Sequence, residues 1–140
     1  MVRIYNQSPF KKLKKQPFRR LASAVWQAHQ KDGCDLTITF VTTDAIVDLN
    51  QRYLQRSYQT DVISFNLGAD PEGKTIGDIY ICPEVARENA EYYGCSFEEE
   101  LARLVIHGVL HVIGYDDATD TEREAMRRLE NKFLEKYWQY

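Results

Sequence analysis

The sequence predicts an α+β fold in which about five helices pack on one mixed sheet of four strands. Segments with apolar residues at helical spacing are interspersed with short runs rich in β-branched residues, and the two kinds do not follow a strict strand–helix–strand alternation. The chain has 140 residues, of which 44% are hydrophobic, so it can build a core without disulfides. We expect a single domain over residues 1–140.

The N-terminal half is expected to contain two strands and two helices. In chain order they are a strand at 2–6, a helix from Pro17 to Asp32-Gly33, a strand at 36–41 and a helix over 44–53. Proline is favoured in the first turn of a helix, and Asp-Gly is a turn and C-cap signal. The run at 36–41 is β-branched, and Thr43 is the expected cap of the helix that follows it.

The C-terminal half is expected to contain two strands and three helices. In chain order they are strands at 62–65 and 76–82 with a hairpin-like connection at 68–73, and helices from Pro83 to Gly94, from Ser96 to Gly114 and over 120–138. Asp-Pro and glycine mark the connection, and Pro83 suits a first helical turn. Capping boxes of the form S/T-x-x-E start at Ser96 and Thr119.

Composition narrows the function classes. The net charge is −3, which excludes a protein that coats nucleic acids through overall positive charge. The three cysteines are widely spaced and odd in number, so a disulfide framework is not expected. Neither a secretory signal nor an apolar run long enough to span a membrane is expected, so a cytoplasmic protein is the simplest inference. One stretch before and within the first helix is basic. It is either an ordinary solvent-exposed segment or a surface that contacts phosphates, and it contains Lys11, Lys12, Lys14, Lys15, Arg19 and Arg20.

Two of the three histidines, His107 and His111, lie four residues apart in a segment predicted to be helical. Side chains at this spacing project from one face, with Cβ atoms about 5–6 Å apart, which allows one helix to give two ligands to a tetrahedral ion. Gly114 is expected to end the helix and reverse the chain, so that Asp116 or Asp117 returns beside both imidazoles. The pattern favours a zinc-type site with three protein ligands and a fourth position open to water or substrate.

Each of these residues also has a purely structural interpretation. Buried histidines often only satisfy a hydrogen bond, and Asp116 or Asp117 could cap the next helix or hold the loop through an Asx turn. We favour Asp117 as the third ligand. The other aspartate, Asp116, is then the expected acceptor for an imidazole N–H.

Gly108 argues against a peptidase. In HExxH metalloproteases a glutamate directly after the first histidine is the general base, and here Gly108 occupies that position. Glycine cannot transfer a proton, so peptidase chemistry of that type has no base. Gly108 is instead expected to leave room for another backbone segment or a substrate to approach the metal closely.

The run HGVLHVIGYDD, from His107 to Asp117, resembles the signature H-G-x-L-H-x-x-G-Y-D-H of the YbeY family. Two further blocks are similar to those of the family, TDVISF at 60–65 and GDIYI at 77–81, and the resemblance covers about residues 36–135. It implies a small α+β domain with a metal in a cleft. It also implies a metal-dependent endoribonuclease that takes part in ribosomal RNA maturation and ribosome quality control.

The chain departs from the family pattern at two positions. The third ligand is usually histidine, whereas position 117 is aspartate. A carboxylate binds zinc well but adds a negative charge, which should weaken the Lewis acidity of the ion and make manganese or nickel more plausible. The family often has an arginine where this chain has Leu54, and Arg56 either supplies the same charge from a shifted place or is an ordinary surface arginine.

The resemblance therefore implies an enzyme that holds one zinc ion with His107, His111 and Asp117 and cleaves single-stranded RNA. Its expected partners are a ribosomal RNA precursor and the ribosome, without a membrane. Arg56 would neutralise charge at the phosphate, and Tyr58 could stack on a base. Two alternatives remain open: a ribosome-associated binding factor with a mainly structural metal, and a metal-dependent hydrolase of another substrate.

Overall fold

The helices and strands were located in a computed structural model, which describes residues 1–30, 32–56 and 60–140. The strands are β1 (Val2–Asn6), β2 (Cys34–Phe40), β3 (Val62–Ala69) and β4 (Thr75–Ile81). The helices are α1 (Lys15–His29), α2 (Thr43–Leu54), α3 (Pro83–Tyr93), α4 (Phe97–Ile113) and α5 (Asp120–Tyr137). Within these ranges the predicted class, α+β with one mixed four-stranded sheet and five helices, is confirmed.

The sheet has the strand order β1-β2-β4-β3. Strands β1, β2 and β4 run parallel, and β3 is antiparallel to β4. The connection between β3 and β4 is the expected hairpin, in which one carboxylate oxygen of Asp70 accepts the backbone N–H groups of Glu72 and Lys74 at 2.9 Å each. This mixed arrangement places β3 at one edge of the sheet, where it contacts α4.

Helix α4 lies at the centre of the molecule. It contacts β3 and β4 on the sheet and also α1, α3 and α5. Most of its residues are buried: Glu100, Leu101, Ala102, Leu104, Val105, Ile106, Gly108, Val109, Leu110 and Val112. A helix that is apolar on nearly all sides must be enclosed by other elements, so functional side chains on α4 reach solvent only where the enclosure is open. No helix in the described ranges is long and apolar enough to cross a membrane.

Two local predictions were wrong by a few residues. Helix α1 ends at His29, before Asp32-Gly33, because Gln30 is already extended and the indole N–H of Trp26 donates to the carbonyl oxygen of Asp32 at 2.8 Å. Helix α2 is capped by Thr42 and not by Thr43. The Thr42 hydroxyl accepts the Ala45 N–H at 3.2 Å, as an N-cap side chain does.

Of the two neighbours expected beside Gly108, another chain segment or a substrate, the structure shows the first. The space that its side chain would occupy is filled by the sheet, since a Cβ at this position would lie 2.6 Å from Ile79 Cγ2 and 3.2 Å from Ser64 Oγ. The missing side chain therefore serves the packing of α4 on β3 and β4. It does not leave room for a substrate, and the close approach fixes the height of α4 above the sheet.

We expect Gly108→Ala to destabilise the protein. An alanine inside a helix normally stabilises by about 1 kcal/mol relative to glycine, but overpacking a rigid core costs about 1–3 kcal/mol or more, and the nearest atom belongs to Ile79, which is fully buried. The midpoint of thermal unfolding should fall by roughly 5 °C or more. In a double-mutant cycle, Ile79→Ala should reduce the cost of Gly108→Ala. An unchanged or higher midpoint for Gly108→Ala would contradict the packing role.

Candidate metal centre

The two histidines of α4 face the same opening in the protein. Their ring centroids lie 4.6 Å apart, with an angle of 64° between the planes. The side chain of His107 is 18% exposed and that of His111 is 25% exposed, whereas the neighbouring residues of α4 are buried. The i, i+4 spacing therefore places both imidazoles at one break in the enclosure of the helix, as predicted.

Gly114 ends α4 and turns the chain back. Its φ of +129° is disfavoured for residues with a side chain, and its N–H donates to the carbonyl oxygens of Leu110 and His111 at 3.1 Å. The N–H of Tyr115 also donates to the Leu110 carbonyl, at 3.0 Å. This reversal directs residues 115–117 back across the end of the helix.

Asp117 is the aspartate that returns to the histidines. Its Oδ2 lies 3.3 Å from His107 Nε2, and its Oδ1 lies 3.3 Å from His111 Nε2. Asp116 is exposed. Neither aspartate is the cap of α5, because Thr119 and Glu122 form the predicted capping box there.

The carboxylate that orients His107 is Glu130 on α5, which was not predicted from the sequence. His107 Nδ1 and Glu130 Oε2 are 2.8 Å apart, so the predicted acceptor, Asp116, does not hold this position. Glu130 is 4% exposed. A signal for it exists in the sequence, since Glu130 falls in the apolar stripe that Met126, Phe133 and Leu134 form on α5, where a carboxylate is unexpected unless it has a partner.

Arg103 on α4 supports Glu130 from the other side. Its Nη1 lies 3.4 Å from Glu130 Oε1 and donates to Asn131 Oδ1 at 2.8 Å, and its Nε lies 3.8 Å from Glu100 Oε1. Buried charges persist in proteins when they are paired and hydrogen-bonded. A chain of polar contacts thus links α4 and α5, from Arg103 through Glu130 to the imidazole of His107.

The charges around His107 favour a cation. Burial, the largest single contribution, lowers the pKa of His107, but the hydrogen bond and charge of Glu130 raise it, as do the charges of Asp117 and Asp61. The carboxylates outweigh burial, and the net pKa is raised. The same negative surroundings that favour a proton on the imidazole would favour a metal ion in its place.

The donor set fits a divalent ion. Because Nδ1 of His107 is hydrogen-bonded to Glu130, Nε2 is the ring nitrogen left to face Asp117. A proton or a metal ion between this nitrogen and the carboxylate oxygen makes their approach favourable. Ligands about 2.0–2.1 Å from a tetrahedral zinc ion are about 3.4 Å apart, close to the two Nε2–Oδ distances of 3.3 Å. The ligand atoms of all three residues lie within 4.8 Å of one another.

Two cavities meet at this cluster. Both are lined by His107 and Asp117 together with Asp61, whose pKa is raised by burial in spite of the charge of His107, which lowers it. One cavity, of about 310 Å³, also contains His111 and Arg56. Arg56 is exposed and lines this cavity together with Leu54, a position that the first of its two interpretations requires. The other cavity lies towards α5 and is also about 310 Å³.

The other predicted RNA contacts are Tyr58 and the basic stretch before and within α1. Tyr58 is outside the described residues. Lys11 and Lys12 line a different cavity with Phe10, Phe97 and Tyr140, and do not line the two that meet at the histidines.

Comparison with known proteins identifies the family. The family model "Endoribonuclease YbeY" matches residues 3–138. Proteins named "Endoribonuclease YbeY" from Staphylococcus aureus strains JH9 and Newman are each 39% identical over 120 residues, which cover 79% of this chain and 77% of the relative. The solution structure of a Thermotoga maritima protein aligns over 99% of this chain and 89% of its own, with a TM-score of 0.69 and 31% identity.

The match of the family model extends beyond the signature to almost the whole chain, including α5, which supplies Glu130. The Staphylococcus aureus relatives are 39% identical to this chain, which is more similarity than a shared fold requires. The family indicated by the HGVLHVIGYDD motif is thereby confirmed. The chain belongs to the endoribonuclease YbeY family.

Proposed function

We propose that this protein is a metal-dependent endoribonuclease whose single ion, zinc, is held by His107, His111 and Asp117. The observation that carries the proposal is the pair of imidazole Nε2 atoms that face the two oxygens of one carboxylate at 3.3 Å. A divalent ion between these groups would satisfy both imidazoles and the carboxylate at once. The activity for which the Staphylococcus aureus relatives are named, endoribonuclease, supports the type of reaction.

The residues of the chain have distinct roles in this proposal. A zinc ion held there would supply a Lewis acid that polarises a phosphoryl oxygen and lowers the pKa of a water molecule. Glu130 fixes the tautomer and the orientation of His107 through Nδ1. Arg56 lies in the same cavity as both histidines, where its guanidinium can bind a phosphate and neutralise charge that develops on it.

The openness of the site supports catalysis over a purely structural metal. Structural zinc sites are closed by four protein ligands, whereas the cluster in the described ranges has three ligating residues and borders two cavities. Asp117, whose side chain is 39% exposed, lies where the cluster opens to these cavities. A substrate phosphate can therefore reach the fourth position without rearrangement of the fold.

We propose single-stranded RNA as the substrate, and a ribosomal RNA precursor on or near the ribosome, in the cytoplasm, as its biological form. Family membership supports this choice. The lysines before α1, Lys11 and Lys12, are exposed and line a cavity together with Phe10, so they are the proposed outer contacts to RNA phosphates. Manganese or nickel remains the alternative to zinc, because Asp117 adds an oxygen ligand.

The zinc-loaded protein is expected to cut a labelled single-stranded RNA internally. The His111→Ala variant, purified in the same way, should lose at least about 100-fold in rate because an ion that lacks one of its few ligands is neither retained nor oriented. Asp116→Ala is the matched control and should cleave like the wild type, since Asp116 is exposed. Denaturing gels resolve the products.

Three outcomes would contradict the proposal. RNA that is bound but left intact would favour the ribosome-associated binding factor. Cleavage of model phosphate esters without cleavage of RNA would favour a hydrolase of another substrate. Equal cleavage by the wild type and His111→Ala would show that the cleavage does not depend on this metal centre.

A further inference from the structure

The cavity on the α5 side of the candidate metal centre has features that the proposed chemistry at the ion does not use. We call it the arginine cavity, because three guanidiniums line it. Its lining beyond the shared residues includes Asn89, Tyr93, Arg103, Leu104, Arg123 and Arg127. Its volume of about 310 Å³ lies at the lower end of the range for small-ligand sites.

The exposed charge on the α5 side of the arginine cavity is positive, whereas Asp61 and Asp117 line the part that it shares with the other cavity. The acidic residues Glu100 and Glu130 lie beneath its surface, with side chains 5% and 6% exposed. The side chains of Arg123 and Arg127 are 54% and 48% exposed, so a ligand can reach both guanidiniums, although Arg123 pairs with Asp120 and Arg127 Nη1 lies 3.8 Å from Glu130 Oε1. Arg103, at 15%, is held among the buried acids and contributes mainly to the wall.

Tyr93 adds a flat surface to this positive charge. It is the last residue of α3, and it is 60% exposed. The Arg127 guanidinium lies over its ring, 5.4 Å from the centroid. A guanidinium beside an exposed aromatic ring is the combination that binds single-stranded nucleic acids, because phosphates pair with the charge and bases stack on the flat groups.

The arginine cavity adjoins the candidate metal centre. It shares His107 and Asp117 with the cavity of Arg56, so the cluster stands between the two. A polymer whose scissile phosphate sits at the cluster must extend from it on both sides. A small phosphate ester would need only one of the two cavities, whereas a nucleic-acid strand would fill both.

We propose that the arginine cavity is a subsite that binds the RNA nucleotide next to the cleaved bond, with its phosphate at Arg127 and Arg123 and its base on Tyr93. This inference rests on the proposed function in one respect, the choice of RNA as substrate. Arg123 also holds the loop of Asp117, since its Nη1 donates to the carbonyl oxygens of Asp117 and Ala118 at 3.2 and 2.9 Å. A test should therefore use Arg127 and Tyr93, which contact each other and line the same cavity.

The experiment measures the affinity of the zinc-loaded protein for a fluorescent single-stranded RNA by anisotropy, across a series of salt concentrations. We expect Arg127→Ala to weaken binding about ten-fold at low salt and to reduce the slope of log K against log salt by about 0.7, the value for one lost phosphate contact on a single strand. Tyr93→Ala should weaken binding roughly five- to a hundred-fold through lost stacking. Tyr93→Phe keeps the ring and should bind like the wild type.

Arg128→Ala is the matched control for charge. Arg128 is exposed on the same helix and does not line the arginine cavity, so its loss should leave both the affinity and the slope nearly unchanged. Zinc content and the midpoint of thermal unfolding, measured on every variant, show that the metal centre and the fold are intact. Gels after each titration show that the RNA is still whole.

The results separate this inference from the proposed function. Equal losses in Arg127→Ala and Arg128→Ala, wild-type affinity in both Arg127→Ala and Tyr93→Ala, or no RNA binding by the wild type would overturn the subsite. Cleavage with no dependence on Arg127 or Tyr93 would overturn the subsite and leave the nuclease. Binding that depends on both residues, without cleavage, would support the subsite while the proposed nuclease fails.

Discussion

Replacing Asp117 with alanine is expected to remove most of the bound zinc. The wild type should contain about one equivalent, and the variant should lose more affinity than the roughly 10–100-fold that follows loss of an outer partner of a ligand. The reason is geometric, because both oxygens of the Asp117 carboxylate face imidazole Nε2 atoms at 3.3 Å. His111→Ala should lose zinc to a similar degree. Mass spectrometry of the metal in purified protein gives the content, and titration with a zinc indicator gives the affinity.

Two further variants make this experiment decisive. Asp117→His restores the residue usual in the family and should keep the ion, because a neutral imidazole also binds zinc. Asp116→Ala should keep it as well, since Asp116 is exposed and lies outside the cluster. Full zinc content in Asp117→Ala would remove Asp117 from the ligand set. Loss of zinc in Asp116→Ala would assign that role to its neighbour.

The midpoint of thermal unfolding tests the same site without a measurement of zinc content. A ligand that binds only the folded state stabilises it, by about 2.7 kcal/mol when its free concentration is 100 times the dissociation constant. Zinc should therefore raise the unfolding midpoint of the wild type and of Asp117→His, but not that of His111→Ala. The shift and the metal content should agree across the series.

The parts of the site that could be predicted from the sequence are those set by local geometry. The pair His107 and His111 follows from the helical repeat, and the return of the chain follows from Gly114, whose positive φ few other residues tolerate. Asp117 lies only a few residues beyond that turn. Each step depends on residues within one helix and its cap, so a single sequence contains the needed information.

The parts that were missed depend on contacts between distant segments. Glu130 reaches His107 across 23 positions, and nothing local indicates which helix packs beside α4. The close approach of Ile79 to Gly108 depends on the pairing of the sheet beneath the helix. A glycine beside a histidine suggests open space when it is read from the sequence, but the packing of α4 on β4 fills that space.

Position 117 is aspartate where the family usually has histidine, and this makes the site more negative. Asp117, Glu130 and Asp61 all act on His107, and their combined effect is large enough to overcome its burial. The exposed guanidiniums of Arg123 and Arg127 border the same centre. A site with this much negative charge needs cationic groups at its rim if it is to accept a phosphate, which is the role proposed above for these arginines.

The second large effect is expected from Glu130→Ala. Removal of this carboxylate leaves His107 Nδ1 without its acceptor and takes one partner from Arg103, whose side chain is only 15% exposed. Zinc affinity should fall about 10–100-fold, as for other carboxylate partners of ligating histidines. The free energy of unfolding of the metal-free protein should fall by up to about 3–5 kcal/mol, the cost of breaking a buried ion pair. Retained bonds of Arg103 to Asn131 and Glu100 should keep the loss towards the lower end.

Glu130→Gln separates the two effects. The amide oxygen can still accept from His107 Nδ1, so zinc affinity should recover most of its loss, whereas the ion pair with Arg103 stays broken and stability should remain reduced. A double-mutant cycle between Glu130→Ala and His107→Ala in the metal-free protein measures their coupling directly. If Glu130→Ala lowers the unfolding midpoint but binds zinc as the wild type does, the carboxylate holds the two helices together and does not position the ligand. If both variants lose zinc affinity equally, the negative charge of Glu130 matters for the ion, and its hydrogen bond alone is not sufficient.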